Sequence, residues 1–293
     1  EYLLELGYEV HGIVRRHSVS ENQSSRLEHI YDKIKLHYGD LLDVSSLERV
    51  IIDVKPDEIY NLAAQSHVRV SFDVPQYTMN VNSNGVLNLL EVYRKICPKA
   101  KFYQASSSEM FGNSKDSDNC QRETTQMKPV SPYACSKLSA HTICCNYRNS
   151  YNLHICCGIL FNHESPRRGT NFVTNKVVKT AVEIKLGLKD KLALGNLDSM
   201  RDWGHAKDYV KAMHLMLNKD VAEDWVTSTM KTHSVKNLCE YVFNKLEMNY
   251  EDYVIQDQRF MRPEELEYLK GDSSKIREKL NWKPKYTFET MLD

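Results

Sequence analysis

The stretch Lys101-Phe102-Tyr103-Gln104-Ala105-Ser106-Ser107-Ser108-Glu109, with Ser131-Pro132-Tyr133-Ala134-Cys135-Ser136-Lys137 downstream of it, decides how the chain folds. Lys101 to Ser106 alternates and carries aromatic residues like a buried strand, and it ends in the polar cluster Ser107-Ser108-Glu109. Ser131 is a good N-cap and Pro132 suits the first helical position, which predicts a helix over roughly Pro132 to Tyr151. Tyr133 and Lys137 then stack on one helical face. A hydroxyl, a carboxylate, a phenol and an ammonium thereby converge at the carboxyl ends of a parallel sheet, where open α/β folds bind ligands. The ammonium is expected to favour phenolate and lower the Tyr133 pKa toward useful base strength. A Tyr/Lys pair at this spacing alone fits any amphipathic surface helix; the Ser-Ser-Ser-Glu strand end upstream gives it weight.

Working outward, Glu1 to Leu6 reads as the end of a helix closed by Gly7, and Tyr8 to Val14 as a strand. A Rossmann unit places a strand and a Gly-rich turn before that helix. Neither lies in these residues, so the natural chain is expected to be longer, with its first strand and Gly-rich loop missing here. After the Tyr8 to Val14 strand stand Arg15 and Arg16, with no acid until Glu21. That position chooses between the ribose hydroxyl of NAD and the 2′-phosphate of NADP, and guanidinium groups favour NADP. Further strands are predicted at Leu36 to Tyr38, Ile59 to Ala63 and His154 to Leu160, with helices at Leu47 to Val54 and residues 76 to 97. The small residues from Ala63 to Ser66 permit close approach to a cofactor, and His67 reads as a positioned loop residue.

This alternation predicts an α/β fold, a Rossmann-type doubly wound parallel sheet. Beyond residue 160 the pattern loosens. Polar, charged loops are expected at Phe161 to Gly169 and Asn196 to His205, helices at Asn171 to Leu186, Ala206 to Leu217, Ser234 to Leu246 and Ser273 to Leu280, and a short strand at Lys191 to Leu194. The expected division is a dinucleotide domain of residues 1–161 plus about 197–219, with a smaller mixed α/β substrate lobe from about 162–196 and 220–293.

Lys plus Arg and Asp plus Glu both number 39, which leaves no electrostatic footprint for nucleic acid. No apolar run approaches the roughly 18 residues of a membrane span. The eight cysteines include the adjacent pairs Cys144-Cys145 and Cys156-Cys157 but no CxxC spacing. They read as reduced thiols of a cytoplasmic protein with no metal site.

With these residues in view, the chain resembles the extended short-chain dehydrogenase/reductase family, and within it the GDP-mannose 4,6-dehydratases. The likeness rests on Ser107-Ser108-Glu109, where those enzymes carry Thr-Ser-Glu, on Ser131 to Lys137, and on Ile159 to Gly169. Arg201 to Tyr209, Arg262-Pro263 with Glu265, Gly271-Asp272 and Trp282-Lys283-Pro284 carry it to the end. It implies a lyase that makes GDP-4-keto-6-deoxymannose and water from GDP-mannose, by transient oxidation at C4, elimination across C5–C6 and hydride return to C6 through bound NADP. Tyr133 is then the base at the 4-hydroxyl, Lys137 tunes it, and Ser107 donates to the developing oxyanion. Glu109, which on spacing alone also fits a solvated loop glutamate, becomes the group acting at C5 and on the leaving 6-hydroxyl.

The resemblance further implies that Arg15, Arg16, Asp40, Leu41, Leu62, Ala63, Ala64, Ser66, Tyr77, His163 and Arg168 hold the cofactor together with Tyr133 and Lys137. It implies that Asn162, Lys176, Arg201, Arg262 and Glu265 hold the nucleotide sugar, Glu265 by accepting from guanine. A homodimer or homotetramer is also implied, with the Arg15 to Arg26 loop at the subunit contact. The segment between Leu246 and Arg259 is shorter than the family's. Rival readings are an NAD-dependent nucleotide-sugar epimerase, a dehydratase of a uracil or thymine sugar, and a non-catalytic dinucleotide-binding protein.

Overall fold

A computed structural model describes residues 1–16 and 26–293. The short helix α1 (Tyr2–Glu5) turns through Gly7, whose φ of 83° suits a residue without a Cβ, into β1 (His11–Val14). The Arg15 to Arg26 loop assigned to a subunit contact falls mostly on residues 17–25, outside the described residues. Strand β2 (Lys35–Tyr38) pairs parallel with β1. Helix α2 (Val44–Val54) is capped by Asp43, whose carboxylate accepts from the Ser46 amide, and it returns the chain to β3 (Glu58–Asn61). The chain then runs through α3 (Val68–Asp73), capped by His67, and α4 (Pro75–Met79) to α5 (Gly85–Ile96).

The helix expected over 76 to 97 is real but interrupted by a π-turn, Asn80–Asn84. The extra residue aims Asn82 at the Gln65 backbone, from whose amide it accepts at 2.8 Å, and at Ser136, to which it donates at 3.0 Å.

Strand β4 (Lys101–Ser107) pairs with β3 on one side and with β5 (Ile155–Leu160) on the other, all parallel. Between β4 and β5 lies helix α6 (Pro132–Tyr151), with Ser131 accepting from the Ala134 amide at its start. Alternate residues of the buried strands serve opposite faces. Phe102, Ile155 and Cys157 pack under α2, α5 and α6, whereas Tyr103, Cys156 and Leu160 pack against the opposite layer.

Past residue 160 the loops are more strand-like than the sequence suggests. Within the two expected loops lie β6 (Asn162–Glu164), β8 (Met200–Arg201) and β9 (Trp203–His205), with α7 (Val173–Lys185) and β7 (Leu192–Leu194) between them. Strands β6 and β9 pair parallel with each other. Helix α8 (Ala206–Leu217) covers the second sheet face.

Strand β10 (Asp224–Thr227), in a segment assigned to the smaller lobe, instead extends the large sheet, pairing parallel with β5 in the order β10-β5-β4-β3. Two-residue β11 (His233–Ser234), helix α9 (Val235–Lys245) and β12 (Val254–Gln256) follow. Helix α10 (Ser274–Leu280) packs beside β10 and α8, so Ile276 and Trp282 join the sheet's second-face core. The final helix is α11 (Phe288–Leu292). A separate apolar core unites α7, α9 and α11 around Val177, Leu238, Phe243 and Phe288.

Candidate active site

The carboxyl end of β4 runs into a single 3-10 turn, Ser108–Phe111, with Ser107, Ser108 and Glu109 all buried. Ser107 caps that turn, its hydroxyl accepting from the Glu109 amide at 3.3 Å. Across from it, the first turn of α6 presents Tyr133, whose own amide donates to Ser71 at 3.1 Å. One turn on, Lys137 donates from Nζ to the Ala105 carbonyl at 2.8 Å, which ties the helix to β4.

The electrostatics differ from the sequence expectation. Burial, with the Glu109 carboxylate adding to it, pushes the Tyr133 phenol up to about 12, although contact with the Ser107 hydroxyl and the charge of Arg168 oppose the rise. The same burial pushes Lys137 down to about 8. An ammonium directed at a backbone carbonyl and itself short of water does not lower the phenol.

Ser107, Glu109, Tyr133 and Lys137 open on one cleft of about 1120 Å³. The cleft also receives every residue expected to hold the sugar nucleotide: Asn162 from β6, Lys176 from α7, Arg201 from β8, and Arg262 and Glu265 from the loop before α10. Their contacts are specific. Arg262 donates from Nη1 to both Glu109 oxygens, at 3.2 and 3.1 Å, rather than standing as an unengaged phosphate ligand. Arg201 lies 3.6 Å from the Glu265 carboxylate, which also accepts from Ser199 at 3.3 Å. Lys176 donates to the Ala193 carbonyl at 2.6 Å and sits 3.5 Å from the Phe260 ring centroid. Phe260 lines the cleft with 45% of its surface exposed, a stacking face that the sequence reading passed over because an isolated aromatic in a loop carries no period.

The residues expected around the cofactor divide into two groups. Leu62, Ala64, Ser66, His163 and Arg168 line the same cleft. The His163 ring stacks on Tyr209 at 4.8 Å and donates from Nδ1 to the Phe161 carbonyl, and burial pushes it down to about 4, so it is neutral. Arg168 is 3.1 Å from Glu164 and lies over the Phe172 ring.

Arg15, Arg16, Asp40, Leu41, Ala63 and Tyr77 do not line that cleft. Arg15 donates to the Tyr77 hydroxyl at 2.6 Å, and Arg16 to the Tyr38 hydroxyl at 3.3 Å, both just past β1. Asp40 accepts from the Leu42 amide at 2.9 Å, and the Leu41 side chain is in the core, leaving only its backbone for a ligand. Ala63 donates its amide to Asn61 at 3.3 Å. The donor set suits a dinucleotide: paired guanidinium groups at one end, a Tyr/Lys pair at the other, and small residues with the half-exposed Leu62 between.

The family model described as GDP-mannose 4,6 dehydratase matches residues 1–293. GDP-mannose 4,6 dehydratase 1 of Arabidopsis thaliana is 51% identical over 304 residues, spanning 100% of this chain and 83% of that protein. The GDP-mannose 4,6 dehydratase of Homo sapiens is 46% identical over 319 residues, spanning 100% of this chain and 85% of that one. Among solved structures, a dTDP-glucose 4,6-dehydratase from Bacillus anthracis in complex with NAD superposes with a TM-score of 0.84 at 25% identity, over 99% of this chain and 88% of that one.

Proposed function

The chain belongs to the GDP-mannose 4,6-dehydratase family, and from that premise we propose how its cleft carries out the reaction. The protein is a hydro-lyase that converts GDP-mannose to GDP-4-keto-6-deoxymannose and water. Its cofactor is a nicotinamide dinucleotide, and we assign NADP, because Arg15 and Arg16 directly follow β1 in the chain, where an acid would favour NAD, and guanidinium groups suit a 2′-phosphate. The cofactor residues predicted above would hold it. When bound, it supplies a reversible two-electron redox step at the sugar and a cationic ring that favours phenolate at Tyr133.

Tyr133 takes the proton of the sugar 4-hydroxyl. Lys137 fixes the position of that phenol through the helix and holds the ribose. Ser107 donates to the oxygen that becomes the 4-keto group. The ketone acidifies the C5–H, and Glu109 removes that proton and protonates the departing 6-hydroxyl. Arg262, paired with Glu109, steers that carboxylate and joins Arg201 and Lys176 in neutralising the diphosphate, while Glu265 accepts from guanine. The eight cysteines form no disulfide, which suits a cytoplasmic enzyme, and no described helix is long and apolar enough to cross a membrane. A homodimer or homotetramer completes the proposal.

The observation that carries the reading is the meeting of Ser107, Glu109, Tyr133 and Lys137 in one cleft. Glu109→Gln is expected to oxidise C4, seen as single-turnover absorbance of reduced nicotinamide, while product formation falls by about 10²–10⁴-fold. Water loss at the wild-type rate in that variant would remove Glu109 from the mechanism.

A further inference from the structure

Behind the catalytic helix, away from the cleft, four side chains from three elements turn their ligand atoms toward one point. They are His141 and Cys145 of α6, Cys157 of β5 and Asp224 at the start of β10, with all four ligand atoms within 4.8 Å of one another. Cys145 Sγ is 3.4 Å from Asp224 Oδ2 and 3.7 Å from His141 Nε2, and His141 Nε2 is 3.8 Å from Asp224 Oδ2. The His–Asp separation is too long for a hydrogen bond. All three distances match the edges of a tetrahedron built on metal–ligand bonds of about 2.0–2.3 Å, which come to about 3.3–3.8 Å.

The surroundings fit as well. His141 turns its other nitrogen, Nδ1, to the Ser106 hydroxyl at 2.9 Å, and with Nδ1 donating to that oxygen, Nε2 is left for a cation. Arg148 donates to Asp224 Oδ1 at 2.9 Å and reaches Oδ2 at 3.2 Å through Nη2. Nη2 also lies 3.5 Å from Cys145 Sγ, so a cation held by Oδ2 and Sγ displaces both Nη2 contacts and leaves the Nη1 bond to Oδ1. Two thiolates and a carboxylate around a divalent ion carry one net negative charge, which the Arg148 guanidinium cancels. Asp224 keeps 23% of its side-chain surface, so there is a way in.

We propose that His141 Nε2, Cys145 Sγ, Cys157 Sγ and Asp224 Oδ2 form a tetrahedral site for a thiophilic divalent cation, zinc by chemistry, that pins α6 to β5 and β10. Each thiol gives its proton to solvent as its metal–sulfur bond forms. The consequence reaches the active site through one helical stripe, because Tyr133, Lys137, His141 and Cys145 follow at four-residue steps. Ser106, which holds His141, also directly precedes Ser107.

The test uses the full chain, stripped with chelator and titrated with Co(II) and separately with Zn(II). One Co(II) per chain, with sulfur-to-metal charge transfer and the intense visible bands of tetrahedral cobalt, is expected. Zn(II) should raise the melting temperature and shield Cys145 from iodoacetamide while exposed Cys135 still reacts. Cys157→Ser and His141→Asn should each lose the tetrahedral spectrum. Should either variant fail to fold, the alkylation contrast in the wild type decides alone. A weak octahedral cobalt spectrum, substoichiometric binding, or Cys145 alkylation unchanged by zinc would overturn the site.

Discussion

Lys137 is a side chain of the cleft whose charge the fold opposes. It is buried, with one carbonyl for a partner, and its pKa falls to about 8 from an ordinary 10.5. Between those values the unfolded chain holds a proton that the folded one has lost, so wild-type stability rises with pH across that window. Below pH 8 the cost of burying the ammonium is in full force. The expected outcome is that wild type gains up to about 3 kcal/mol relative to Lys137→Met between pH 7.5 and 10.5, measured by urea unfolding. Parallel stability curves for the two proteins would refute the burial account. At this scale the sequence was legible wherever chemistry is local. Ser131 and Pro132 announce the helix, and the four-residue step from Tyr133 to Lys137 places both on one face. The direction of the Tyr133 shift was not legible, because it is set by burial beneath segments distant in sequence, such as that of Ser71. Likewise nothing near Arg262 in the chain says that its guanidinium would lie on Glu109.

The Tyr103 side chain of β4 lies over β5 so closely that one position there favours glycine. Gly158 pairs with Ala105, and a Cβ on Gly158 would meet the Tyr103 hydroxyl oxygen at 2.2 Å and its Cζ at 2.9 Å. The same Tyr103 hydroxyl is buried without a hydrogen-bond partner among the described residues. Tyr103→Phe is therefore expected to raise stability by about 1 kcal/mol, and Gly158→Ala to lower it by about 2–4 kcal/mol. Because the oxygen is the nearest obstacle, the double variant should lose about 1 kcal/mol less than the sum, read from a denaturation cycle. Strict additivity would mean that the ring, not the hydroxyl, sets the limit. Among elements, those spanning several periods were read well. Helices α6 and α8 fall on their expected bounds, since a long amphipathic pattern averages over exceptions. Strands β6, β8, β9, β10 and β12 run from two to four residues, at most two periods of strand alternation. Their pairing comes from partners remote in sequence, as when Asp224–Thr227 takes its register from β5, and no local pattern encodes that.

Across the whole molecule, the segment from Arg262 to Gly271 acts as a strap between the two apolar bodies. Within it the Glu265 carbonyl accepts from the Asn113 side chain and the Glu267 amide donates to it, each at 3.1 Å, and Gln121 bridges to Gly271. Arg262 and Glu265 are thus held over the cleft by contacts on the side of β4, while Arg201 and Ser199 approach from the other lobe's strands. The alternating strands and helices made the sheet and the position of the cleft legible from sequence, but this strap was not, since its anchors lie some 150 residues upstream. Arg262→Met removes the cation from a nearly buried carboxylate, so stability should fall by about 1–3 kcal/mol, and adding Glu109→Gln should restore most of it. In the single variant the KM for GDP-mannose should rise about 10–100-fold, as expected for losing one charge-assisted contact, with the affinity for the dinucleotide unchanged. A common loss of both affinities would mean that the strap organises the entire cleft. An unchanged KM at wild-type stability would mean that the Arg262–Glu109 pair joins the lobes without touching the substrate.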